Sequence, residues 1–118
     1  MEFQNELKKM SLVKRTEEST RLLKKFYPKL PIIIDRSRTS DPAINKSKYL
    51  IDPQITIGNL LTIIRQRIKL NPTEAIYLFV NNDIISTHAT IAEVYQQSQL
   101  KNPDGFLYIV YCLENTFG

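Results

Sequence analysis

At 118 residues with a formal net charge of +4, the chain has the length of one domain and can bury a single hydrophobic core. Hydrophobic residues make up 42% and charged residues 24%, which excludes a disordered body, and no window holds the roughly 18 apolar residues that a spanning helix needs. One Cys and one His cannot form an internal disulfide and argue against a structural metal, so no metal or cofactor is expected.

Residues 2 to 10 could form a short helix with Phe3, Leu7 and Met10 on one side and Lys8 and Lys9 nearby, packing on the domain or touching an anionic membrane. From Ser11, a plausible N-cap, Leu12, Thr16, Ser19, Leu23 and Phe26 recur at helical spacing and predict an amphipathic helix ending before Tyr27-Pro28. Pro31-Ile32-Ile33-Ile34-Asp35 reads as a buried strand, Arg36 to Lys46 as loop, and Lys48-Tyr49-Leu50-Ile51 as a second strand stopped by Asp52-Pro53. After Thr56, a second N-cap, Ile57, Leu60, Leu61, Ile64 and Ile68 follow the spacing of a core-facing helix.

Ile76 to Val80 is a dense strand signal, and Asn81-Asn82-Asp83 supplies residues that tolerate a left-handed turn, so a hairpin or tight bend follows. Thr90-Ile91-Ala92-Glu93 has the form of a capping box and predicts a short helix to about Gln97. Phe106 to Leu113 is apolar on both faces, as expected of a central strand. Two strands, a long helix and two more strands describe an α+β chain. The expected architecture is a ubiquitin-like β-grasp, a four-stranded mixed sheet with two additional N-terminal helices. A single domain over 1–118 is expected, divided into a helical segment 1–27, a core 28–113 and a tail 114–118.

The charge is uneven. Residues 1–50 carry twelve Lys or Arg against six acids, and residues 51–118 carry four against six. The first part therefore favours acidic partners, whether nucleic acid, anionic lipid or acidic peptide. The basic segments show no aromatic stacking platform or recognised nucleic-acid motif, so nucleic acid is not the expected partner. Cys112 and His88 fall on different elements, one reading as a buried strand thiol and the other as a surface loop residue, and no glycine-rich phosphate loop is present. The chain is not expected to be an enzyme. The N-terminus lacks a signal-peptide pattern, and a cytoplasmic location is expected.

Lys46-Ser47-Lys48-Tyr49-Leu50-Ile51, Thr56-Ile57-Gly58, Ile64-Arg65-Gln66-Arg67-Ile68, Tyr77-Leu78-Phe79-Val80-Asn81-Asn82, Val94-Tyr95 and Asp104-Gly105-Phe106-Leu107-Tyr108 resemble, in order and spacing, the GABARAP and microtubule-associated light-chain family of autophagy modifiers. The resemblance implies ligation of Gly118 to phosphatidylethanolamine by an activating and a conjugating enzyme, with a processing cysteine protease that exposes the glycine and later cuts the lipid bond. It implies an autophagosome-membrane location after lipidation, and docking of cargo receptors that carry aromatic-x-x-aliphatic motifs.

By the same resemblance, the aromatic side chain enters between Leu23, Pro31, Lys48, Leu50 and Phe106. The aliphatic one enters between Tyr49, Ile51, Ile55, Leu60 and Ile63, with Lys46 and Arg67 attracting acidic flanks. A terminal glycine, lacking Cβ, suits threading into the narrow site of an activating enzyme. Departures from the family pattern are Leu12 for its usual Phe, Ser19 for an expected acid, a shortened Tyr27-Pro28-Lys29-Leu30-Pro31, and Asp83-Ile84-Ile85 where two prolines usually stand. Alternatives are a protein-conjugated autophagy modifier of the same fold, whose last strand can carry Tyr-Cys as Tyr111-Cys112 does here, and a non-conjugated basic binding module.

Overall fold

The computed structural model describes residues 9–114. The possible helix over residues 2 to 10 falls almost entirely outside this range, as do Phe117 and Gly118. Helix α1 spans Leu12–Lys25, β1 Leu30–Arg36, β2 Lys48–Ile51, α2 Ile57–Arg67, β3 Ile76–Val80, β4 Asp83–Ile84, α3 Ile91–Lys101 and β5 Leu107–Leu113. The strands form one mixed sheet in the order β2-β1-β5-β3-β4. β1 and β5 pair in parallel, and the other pairs are antiparallel.

Local chemistry sets the element ends. Ser11 Oγ accepts from Lys14 N at 3.2 Å and starts α1. Thr56 with Asn59, and Thr90 with Glu93, form reciprocal capping boxes that start α2 and α3. Asn81 and Asn82 take φ of 52° and 69°, the left-handed pair that a two-residue hairpin turn requires, and the chain returns as β4. The sheet therefore has five strands rather than the expected four. A strand of two residues is too short to leave an alternating pattern in the sequence. α3 also runs past Gln97 to Lys101, because buried Ser98 and half-buried Gln99 are held there by contacts that apolar spacing does not report.

Both faces of the sheet are covered. Ile32, Ile34, Leu107, Ile109 and Tyr111 pack against Ile57, Leu60 and Ile64 of α2 and Ile91 and Val94 of α3. Ile33, Phe106 and Tyr108 pack on the other face with Leu22 of α1 and half-buried Leu50. β5 lies between β1 and β3, which is why its sequence is apolar on both sides.

The expected face of α1 is corrected by one step of the helix. Arg15, Ser19 and Leu22 turn inward, while Leu12 is 51% exposed and Leu23 only half-buried. A buried carboxylate fixes this orientation. Asp104, with no exposed surface, accepts from Arg15 Nε at 3.0 Å, from Phe106 N at 2.9 Å and from the Tyr108 hydroxyl. Ser19 Oγ donates to the Asp104 carbonyl at 2.6 Å.

Candidate functional site: the open edge of the sheet

β2 pairs with β1 alone, so among the described residues no strand covers its outer side. An edge strand presents unpaired N–H and C=O groups to which an extended chain can add. Alternate side chains of β2 point to opposite faces, and each face opens on a cavity.

On the α2 side, Tyr49, Ile51, Ile55, Leu60 and Ile63 line a cavity of about 270 Å³, joined by Ile44 and Arg67. These include all five residues expected for the aliphatic pocket. On the α1 side, Lys46, Lys48, Tyr49, Leu50 and Arg67 border a broader depression of about 540 Å³, closed by Arg21, Leu22 and Phe26. Of the residues expected for the aromatic pocket, Lys48 and Leu50 lie here. Phe106 is fully buried beneath, Pro31 is buried in β1, and Leu22 stands where Leu23 was expected.

Cations surround this edge. Lys46 Nζ lies 5.5 Å and Arg67 Cζ 5.7 Å from the centroid of the Tyr49 ring, each within cation–π range. Lys48 Nζ meets Glu18 Oε1 at 3.3 Å, and Arg21 Nη2 meets the same oxygen at 2.9 Å. The Arg21 hydrogen bond is the largest effect on the Glu18 carboxyl and, aided by Lys48, holds it below its ordinary range although burial opposes. The acid expected at Ser19 is thus supplied one residue earlier, by Glu18. Burial raises the Tyr49 phenol, with Arg67 opposing, and its buried hydroxyl has no hydrogen-bond partner among the described residues.

The opposite edge of the sheet differs. β4 offers two residues of ladder beside a cavity of about 310 Å³ that runs to α3, too short an edge to guide an extended peptide. His88 is exposed, as expected, and Cys112 is half-buried rather than buried. No cluster of metal-ligating side chains is found among the described residues, and none of their helices is long and apolar enough to cross a membrane.

The expected pocket omitted Glu18, Arg21 and Leu22, while Phe26 was expected on the helix face but not in the pocket. The signal was available in the i, i+4, i+7 series Arg15, Ser19, Leu22, obscured because two of its three members are polar.

A family model described as autophagy protein Atg8, ubiquitin-like, matches residues 14–118. Autophagy-related protein 8 of Kluyveromyces lactis is 45% identical over 106 residues, covering 89% of this chain and 84% of that protein. Autophagy-related protein 8d of Arabidopsis thaliana is 41% identical over 108 residues, covering 91% and 88%. Among solved structures, the crystal structure of Trypanosoma brucei ATG8 superposes with a TM-score of 0.86 at 25% identity, covering 100% of both chains.

Proposed function

The chain belongs to the Atg8 family of ubiquitin-like autophagy proteins, and from that premise we propose that it is a modifier joined through Gly118 to phosphatidylethanolamine, with β2 as its docking edge. The observation that carries the docking half is the open ladder of Lys48–Ile51 flanked by two cavities. An aromatic-x-x-aliphatic peptide added to β2 would set its two anchors on opposite sides of the strand, the aliphatic one in the cavity beside Ile63 and the aromatic one between Leu22 and Leu50. Each large anchor contributes roughly 1.5 to 3 kcal/mol before ordering costs. Micromolar affinity follows.

In this reading the chain acts as the modifier and not as an enzyme. The chemistry on Gly118 belongs to an activating enzyme, a conjugating enzyme and a processing cysteine protease. The chain is cytoplasmic until lipidation and held on the autophagosome membrane afterwards. The similarity of the matched family through residue 118 supports carrying this chemistry to Gly118.

Incubation with the activating and conjugating enzymes and aminophospholipid vesicles tests the proposal, read by intact mass. The expected product is an adduct one phospholipid heavier, absent from Gly118→Ala, while Leu50→Ala conjugates normally but weakens the peptide at least tenfold. A second protein as the adduct would turn the reading toward a protein-conjugated modifier. Unchanged peptide affinity in Leu50→Ala would remove the groove.

A further inference from the structure

Beyond β1, the chain stays beside the end of β5. Ser37 N donates to the Tyr111 carbonyl at 2.8 Å, and the Tyr111 hydroxyl donates to the Pro42 carbonyl. Between these contacts, Arg38 Nη2 donates to Asp41 Oδ1 and to the Leu113 carbonyl, both at 3.0 Å. Asp41, only 4% exposed, also accepts from Arg38 Nε and from the Arg38 backbone N–H, each at 3.3 Å. The Arg38 fork is therefore locked on one side and aimed at the last carbonyl of β5 on the other. Across the chain, Glu114 N donates to the Ala75 carbonyl at 2.9 Å. Both flanks of the 113–114 peptide are thus held.

We infer that Arg38, oriented by Asp41, is a positioning residue that fixes the direction in which the tail leaves the sheet and thereby presents Gly118 for activation. The inference rests on the activation of Gly118 proposed above. The physical argument is one of reach. Four residues separate Glu114 from the end of the sequence, and a chain extends at most about 3.3 to 3.6 Å per residue. Over so short a tether the anchor point and exit direction at Leu113 limit the positions open to the glycine carboxylate. Fixing it beforehand removes an ordering cost that the activating enzyme would otherwise meet on binding. Arg38 lies outside the groove, and its guanidinium donates to the Leu113 carbonyl at 3.0 Å, which also accepts a weaker bond from the Cys112 thiol at 3.4 Å. A lysine could donate to Leu113 O but cannot also grip Asp41 in a fork.

The test uses the full chain as wild type, Arg38→Ala and Arg38→Lys. With the activating enzyme, Arg38→Ala is expected to raise the half-saturating concentration for thioester formation about three- to tenfold, with kcat within twofold and partial recovery in Arg38→Lys. Without any enzyme, hydrogen exchange at the Glu114 amide is expected to quicken about tenfold in Arg38→Ala, while peptide affinity at β2 stays within twofold of wild type. Equal thioester kinetics and equal Glu114 exchange in Arg38→Ala would overturn the inference. So would a general loss, in which the groove weakens as much as the tail and lysine restores nothing. A wild-type chain that forms no thioester would defeat the modifier reading itself, and this inference with it.

Discussion

A methyl group added at Gly105 would lie 2.1 Å from Ser19 Oγ and 2.7 Å from Ser19 Cβ, at a residue whose φ is +87°. Two separate costs meet there. The left-handed backbone costs a side chain about 1 to 2 kcal/mol, and the overlap with α1 adds about 1 to 3 kcal/mol because buried Ser19 cannot withdraw. Gly105 is also gripped by α3, since its N–H donates to Gln99 Oε1 at 2.8 Å and its carbonyl accepts from the Tyr95 hydroxyl at 2.7 Å. Thermal denaturation of Gly105→Ala is expected to show a loss of about 2 to 5 kcal/mol. The double variant Ser19→Gly/Gly105→Ala separates the two causes. It removes the overlap and should return part of the loss relative to Ser19→Gly alone, leaving the backbone share. Equal losses in both backgrounds would show that α1 does not press on this loop.

Helix α1 provides the test of which face the chain buries. Leu22 packs with Ile33, Phe106 and Tyr108 and borders the groove, whereas Leu23 is half-buried and does not border it. Leu22→Ala is expected to cost about 2 to 4 kcal/mol and to weaken an aromatic-anchored peptide severalfold. Leu23→Ala should cost under about 1.5 kcal/mol and leave the peptide within twofold. The reverse pattern, by denaturation and titration, would restore the face read from the sequence. That face was misread for a physical reason. Apolar spacing identifies a buried stripe only where burial is apolar, and α1 buries Arg15 and Ser19 against Asp104, which lies 89 and 85 residues away. α2 buries Ile57, Leu60 and Ile64, so its helix was legible, and the five residues expected for the aliphatic pocket line one cavity together with others, such as Ile44 and Arg67, that were not expected in it. The five strands follow the same rule, since the four long ones carry period or apolar density and the two-residue β4 carries neither. The Arg38 contact was not legible because its carbonyl partner is 75 residues distant, and nothing in the Arg36 to Lys46 loop records it.

At the scale of the whole molecule, the central strand joins two layers by placing one buried tyrosine on each face of the sheet. Tyr108 faces α1 and hydrogen-bonds Asp104, while Tyr111 faces the other core and hydrogen-bonds the Pro42 carbonyl. Burial raises the Tyr108 phenol, and the Asp104 carboxylate raises it further. For Tyr111, burial chiefly, with Asp35 next, pushes the phenol up to about 12 from 10.0. Both native states therefore favour the neutral phenol. The sign follows from linkage: the contribution is complete below the unfolded value of 10.0 and is lost as pH rises through the folded value near 12. For Tyr111 the loss amounts to roughly 2 to 3 kcal/mol over that interval. Because each phenol must lose its partner and meet water to ionise, one layer cannot titrate while staying packed. Alkaline titration is expected to show tyrosinate absorbance from these two residues appearing together with loss of helix signal between pH 10 and 12. Tyr111→Phe should lessen the pH dependence of stability in that window, at the cost of leaving the Pro42 carbonyl without its donor. Smooth ionisation of every tyrosine well before unfolding would mean that the sheet's two faces open independently.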